Sequence, residues 1–283
     1  MVPPVCDEGS FAQETYETAS LYVPKGTLNL YRAAEGWRNF EMISELTEWS
    51  LDESTGTLTI LGNDYMTDYD YKYPAPWYEK RDKIKNVVIC DGIRSIGKRA
   101  FYDCSNLVSV TIPQSVERIG QSAFGNCVSL AAIDIPEHVY SIDNWAFESC
   151  HSLTSMLLPD DVRSMGNSVF FDCIALESIT LPNELTVLSD FLFEGCQSLT
   201  EIVIPENVTS LGTGVFYGCS SLASVSIPEG VTSIGRYAFE QCGSLISITI
   251  PEGVTSIGDY AFSNCNSLES VNLSSFITDE VEY

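Results

Sequence analysis

The chain has 283 residues, 45 % of them hydrophobic and 19 % charged, the composition of a globular protein with enough apolar mass for a sizeable core. Its 14 basic and 39 acidic side chains leave a net charge of -25, which repels phosphate backbones and anionic membranes and counts against nucleic acid as a partner. No apolar run approaches the roughly 18 to 20 residues that span a bilayer, so no membrane insertion is expected and the chain reads as soluble.

Residues 1–46 open without the basic start and apolar stretch of an export signal. Within them, Leu21-Tyr-Val-Pro-Lys-Gly-Thr-Leu-Asn-Leu-Tyr31 predicts a strand, a Pro-Lys-Gly turn and a short helix, followed by Gly36-Trp37-Arg-Asn-Phe40. Residues 47–83 differ. Trp49-Ser-Leu-Asp-Glu-Ser-Thr-Gly56-Thr-Leu-Thr-Ile-Leu-Gly62 alternates apolar and polar side chains about a polar turn, the pattern of a β-hairpin. A tyrosine-rich loop and Pro76-Trp77-Tyr78 then lead into Ile84-Lys-Asn-Val87-Val-Ile89, the first strand of a repeat, with Cys90 where later copies carry proline. The hairpin and loop are expected to cap the open end of a stack.

From residue 84 to 273 the period is 23. Cysteine recurs at Cys104, Cys127, Cys150, Cys173, Cys196, Cys219, Cys242 and Cys265, and phenylalanine keeps step from Phe101 and Phe124 through to Phe262. Leucine follows from Leu107 to Leu268 and proline from Pro113 to Pro251. In the unit Leu245–Ser267, Ile248 and Ile250 alternate with Thr249 as in a half-buried strand. Pro251 ends that strand, Val254 and Ile257 point inward from a second extended stretch, and Gly258 supplies a flexible turn into a single helical turn over Ala261–Cys265. So small a unit cannot bury its own apolar side and must stack on its neighbours. The fold expected is a repeat solenoid, mainly β with short helical turns, about 40 Å long at roughly 4.8 Å per rung, with a core of Phe, Leu, Ile and Cys. Ser274 stands where the next proline would be, and 274–283 form an acidic tail.

The run Ile-Pro-Glu-Gly-Val-Thr-Ser-Ile-Gly-x-Tyr-Ala-Phe-x-x-Cys-x-Ser-Leu, nearly complete at 227–245 and 250–268, closely resembles the BspA-like leucine-rich repeats of bacterial surface proteins. The resemblance covers about 84 to 273 and implies a right-handed leucine-rich-repeat rod of eight full repeats and a partial one. It further implies a secreted or surface-attached protein associated with adhesion to host matrix proteins or to other bacteria. Residues 47–83 look like the entry module of such an array. Residues 1–46 resemble the closing cap of a preceding one, so the chain is expected to be part of a longer multi-array protein.

Eight evenly spaced cysteines invite a metal or a disulfide, but metal sites use close Cys-x-x-Cys pairs, and the column fits buried, reduced, structural thiols. Neither His138 nor His151 has a nucleophile in a recognisable motif, and no nucleophile elbow, Walker loop or zincin helix occurs. No enzyme, cofactor or metal is therefore expected. Glu137, Asp160, Asp161, Glu184, Glu206, Glu229 and Glu252 follow the prolines as a solvated ridge that calcium is the alternative use for. Asp64, Asp68 and Asp70 lack the glycine and closing glutamate of an EF-hand.

The candidate ligand contacts are aromatic. Two residues before each core phenylalanine stand Arg99, Ser122, Trp145, Ser168, Phe191, Gly214, Tyr237 and Tyr260, a column expected on the outer side. Phe171, with Tyr102 and Tyr217, follows the core phenylalanine, and Tyr140 adds a further ring. The strand face, with Ser109, Ser155, Ser178, Ser224, Ser247 and Ser270, reads as flat and small. A monomer that recognises a protein ligand is expected; a glycan stacked on the aromatics, or a spacer that binds nothing, are the alternatives.

Overall fold

The computed structural model describes residues 3–7, 9–23, 27–45, 48–62 and 64–273. The Pro-Lys-Gly turn at 24–26 and the acidic tail at 274–283 lie outside the described residues.

Each array unit makes three sides. The first, except at 131–135, is a short strand such as Ser155–Leu157, Ser178–Thr180 or Glu201–Val203, in which one buried residue sits between two exposed ones. Proline then closes a turn by accepting the amide three residues on, as Pro159 does from Val162 at 3.1 Å. A second short strand follows, Ser141–Ile142 or Ser164–Met165, and pairs in parallel with its copy 23 residues away, Ile142 opposite Met165. Beyond the cap the first strands pair in the same register but two at a time, Met156 opposite Ile179 and Ile202 opposite Val225.

On the third side, where the spacing predicts a helical turn, the chain makes a run of tight turns. Alternate amides have different destinations: Ala123, Gly125 and Cys127 close turns onto Gly120, Ser122 and Phe124, whereas Ser122, Phe124 and Asn126 donate to Asn144, Ala146 and Glu148 of the next rung. A helix would keep every amide within its own rung. Left-handed residues two before and two after each core phenylalanine, Ser122 (φ 50°) and Asn126 (φ 60°) in one rung, divide the amides between rungs. The glycine before this side is chosen for its missing side chain rather than for flexibility. A Cβ on Gly258 would stand 2.3 Å from the Arg236 amide nitrogen of the preceding rung.

The identical residues do lie on one another. From Phe101 to Phe262 successive rings stack with centroids 5.3 to 5.8 Å apart and planes within 25°. Beside them runs a ladder of thiols. Cys127, Cys150, Cys173, Cys196, Cys219, Cys242 and Cys265 each direct Sγ at the phenylalanine carbonyl of the rung before, at 3.0 to 3.3 Å. That carbonyl already receives its own rung's cysteine amide, Cys127 to Phe124 at 3.2 Å, so the thiol donates to its second lone pair in a region that water does not reach. Leu107 to Leu245 complete a single core that runs from Leu58 to Ala261.

The N-terminal hairpin forms as expected, Glu48–Asp52 antiparallel to Thr57–Leu61, and the latter continues in parallel into Asn86–Ile89. Trp77 ends the ring stack: its indole lies on Phe101 at 5.8 Å, donates from Nε1 to the Ala100 carbonyl at 2.7 Å, and is met edge-on by Trp49 and Tyr69. Upstream, Ser20–Val23 pairs in parallel with Met42–Glu45, 22 residues on. There Tyr16, Val23, Tyr31, Phe40 and Ile43 form a separate small core.

Phe147 is fully buried between two rings, so Phe147→Ala should lower unfolding free energy by about 3 to 5 kcal/mol, measured by urea denaturation. The thiols add a pH dependence. Burial pushes the Cys104 and Cys150 thiols from 9.0 up to about 12, and the other core cysteines also lie above their ordinary value. Above about pH 9 the unfolded chain therefore holds fewer protons than the folded one, so stability is unaffected below that pH and falls as pH rises further. Urea midpoints should stay level to about pH 8.5 and then drop steeply. The native thiols from Cys104 to Cys242 should not react with Ellman's reagent until the chain unfolds.

Candidate binding surface

The outward column is a column of left-handed backbone. Arg99, Ser122, Trp145, Ser168, Phe191, Gly214, Tyr237 and Tyr260 all have φ between 50° and 61°. That conformation costs a non-glycine residue about 1 to 2 kcal/mol. It is held by the inter-rung amide bonds, Trp145 to the Asn167 carbonyl at 3.0 Å and Phe191 to that of Thr213 at 2.7 Å. Large and small side chains alternate along it from Arg99 to Tyr237, and the small ones make room: a Cβ on Gly214 would stand 2.5 Å from the Phe191 ring.

The expected contact residues are placed as follows. Trp145, Phe191, Tyr237 and Tyr260 share this row. Phe191 is half-buried across Gly214, and Tyr237 stacks on Tyr260 at 5.5 Å. Trp145 and Tyr260 are the exposed members, at 36 % and 62 %. Phe171 occupies the neighbouring row and lines a shallow groove with Tyr217, Glu194 and Gln241. Tyr140 stands elsewhere, beside the second strand, its amide on the Glu117 carbonyl and its own carbonyl accepting from Arg163.

At the cap end the structure assembles a site that spacing alone does not reveal. The loop before Trp77 brings Tyr71 against the first rungs, and the Arg99 guanidinium lies between two rings, 3.6 Å from the Tyr71 centroid and 3.7 Å from that of Tyr102. Arg81, Arg94, Arg118 and Arg236 each meet a carboxylate; among the described residues Arg99 forms no such pair. Tyr71, Arg99, Ser122, Trp145 and Glu148 line one cleft together with Asp70, Lys98 and Gln121. Burial raises the Glu148 carboxyl above its ordinary value, opposed by Arg99 and by a hydrogen bond with Ser122. The Tyr102 hydroxyl is likewise raised by burial. The tyrosine-rich composition of 64–78 was the signal available in the sequence; its destination depends on how the loop folds back.

The other candidates have structural uses. Asp68 accepts the Lys98 amide at 2.6 Å, and Asp70 those of Lys72 and Tyr73 at 2.8 and 2.6 Å. The residues after the prolines, Glu137 to Glu252, are all exposed. His151 and His138 lie 3.1 and 3.8 Å from Asp172 and Asp161. Among the described residues no three His, Cys, Asp or Glu side chains converge on a metal position, and no helix is long and apolar enough to cross a membrane.

The strand face is less uniform than its serines suggest. Leu157 and Val203 stand on it 70 % and 81 % exposed. Residues 131–135 form no strand, and beside that gap lies an open depression lined by Asp134, Leu157, Leu158, Pro159, Asp160 and Thr180.

A family profile described as BspA type leucine rich repeat region, in 6 copies, matches residues 75–200 and 186–282. Solved structures share the fold. A leucine-rich repeat protein from Bacteroides ovatus is 24 % identical with a TM-score of 0.64, over 83 % of this chain and 72 % of that one. One from Eubacterium ventriosum is 27 % identical with a TM-score of 0.54, over 81 % and 70 %. The T. pallidum leucine rich repeat protein is 32 % identical with a TM-score of 0.51, over 62 % of this chain and 88 % of that one. No curated protein matches the chain.

Because a methyl at Gly214 meets the Phe191 ring, Gly214→Ala should displace that ring and cost about 1 to 3 kcal/mol. A urea titration would measure the loss, and an unchanged midpoint would mean that the ring does not rest there.

Proposed function

Since the chain belongs to the BspA-type leucine-rich-repeat family, we propose that it is a secreted or cell-surface adhesion module that binds a protein ligand, host matrix or another bacterium, through the outer faces of its rod. The observation that carries this reading is the strand face, where Leu157 and Val203 project into solvent beside an open depression, on a frame whose turns are hydrogen-bonded from rung to rung. A pre-ordered surface with apolar anchors loses little conformational entropy on association. The interior contributes no reaction chamber, since ring, thiol and leucine ladders fill it, and the module works as a monomer by recognition without chemistry, cofactor or metal. From Phe101 onward 23 acidic side chains face only three arginines, so the ligand presents basic side chains around an apolar contact, and nucleic acid is not among its partners.

The test is interferometry of the immobilised full chain against a panel of purified host matrix proteins and bacterial surface extracts. At least one protein should bind, more weakly as salt is raised past about 0.3 M because surface charges are then screened. Leu157→Ser with Val203→Ser should weaken that binding about tenfold or more, equivalent to about 1.4 kcal/mol. Loss in Trp145→Ala with Phe191→Ala, while the strand-face variant binds normally, would move the contact to the turn face. Absence of any bound protein would leave the spacer reading.

A further inference from the structure

We propose that the cleft between the cap loop and the first rungs is a saccharide site that takes a neutral hexopyranose, separate from the strand face. Its wall is Trp145, an aromatic plate 36 % exposed, against which the C–H face of a sugar ring can lie. The guanidinium of Arg99 rests against two rings set nearly at right angles, 3.6 Å from the Tyr71 centroid and 3.7 Å from that of Tyr102, so its position is held from two sides while donors remain toward the cleft. It makes no close ion pair among the described residues, although its charge is felt by Glu148 across the cleft. A fixed planar fork suits a pair of neighbouring hydroxyls.

The opposite hydrogen-bonding sense is also present. Glu148, half-buried in the same cleft and touching Ser122, offers carboxylate oxygens to sugar O–H groups, and Gln121 offers both an acceptor and donors. Hydroxyls donate and accept, so a site with both kinds of partner around one ring recognises a polyol rather than an anion or a cation. The charge agrees: Lys98 and Arg99 balance Asp70 and Glu148 in the lining, a neutral patch on a strongly acidic protein. Arg99 and Trp145 are two rungs apart, about 10 Å, and the small, buried Ser122 between them forms the floor under Glu148.

The experiment uses the full chain and a glycan array, followed by saturation-transfer NMR and calorimetry with the methyl glycosides of glucose, galactose and mannose. At least one neutral hexoside should bind, with an affinity that hardly changes with salt, in contrast to the protein ligand. Trp145→Ala should abolish the transfer signal, Arg99→Met should weaken binding at least tenfold, and Glu148→Gln, which keeps size and hydrogen-bonding capacity on one side, at least fivefold. The Leu157→Ser, Val203→Ser variant should bind the sugar as the parent does. Thermal unfolding of each variant separates a lost site from a lost fold, and Glu148→Gln still decides the matter if Arg99→Met unfolds. Preference for sialylated over neutral glycans, unchanged binding in Trp145→Ala and Glu148→Gln, or no glycan bound at all would each overturn the assignment.

Discussion

Every rung of this protein is completed by the next one. The amides of Ser122, Phe124 and Asn126 find their acceptors 22 residues further along, and the Cys150 thiol finds its acceptor 26 residues back, on Phe124. None of these groups can be satisfied within its own repeat, and each is removed from water, where an unpaired polar group costs about 1 to 3 kcal/mol. A single inserted residue would put every such bond that spans it out of register. The unbroken spacing of 23 from Cys104 to Cys265 follows from that requirement. It also explains why the column is cysteine: the position admits only a small side chain, yet the carbonyl facing it needs a donor, and a thiol supplies both.

The same constraint sets the surface. Sharing amides between rungs needs left-handed residues on either side of the core phenylalanine, and the first of these carries the outward row. Trp145, Phe191 and Tyr260 are therefore displayed by the hydrogen-bonding scheme that builds the core, with Gly214 keeping one ring in its seat. The strand face departs from regularity at one place. In this rung Ala132 and Asp134, of low strand preference, stand where the first rung has Ser109 and Thr111, and there the strand is missing and the depression beside Leu157 opens.

One short segment, 64–78, both ends the core and builds the cleft. Trp77 turns inward to continue the ring stack for one more layer, while Tyr71 turns outward and holds Arg99 against Tyr102. A cap needed to shield the first rung from water thereby becomes part of a surface that two rungs alone would not make.

The solenoid, its period, the hairpin at Trp49 to Gly62, the phenylalanine core and the reduced cysteines were legible from residues alone, because a repeat that buries one side by stacking writes that side into the chain at constant spacing. The outward row was legible for the same reason, as was the membership of Trp145, Phe191, Tyr237 and Tyr260 in it. Tertiary structure decided what no period encodes. It decided that the third side is a chain of turns, because amides must reach the next rung, and that Gly258 stands where it does because backbone from the rung before passes within contact. It decided that Phe191 lies half-buried while Trp145 stays open, because their neighbours differ in size. It also brought Tyr71 to Arg99, since contacts between a non-repeating loop and the array depend on where the loop returns, and each occurs only once in the chain.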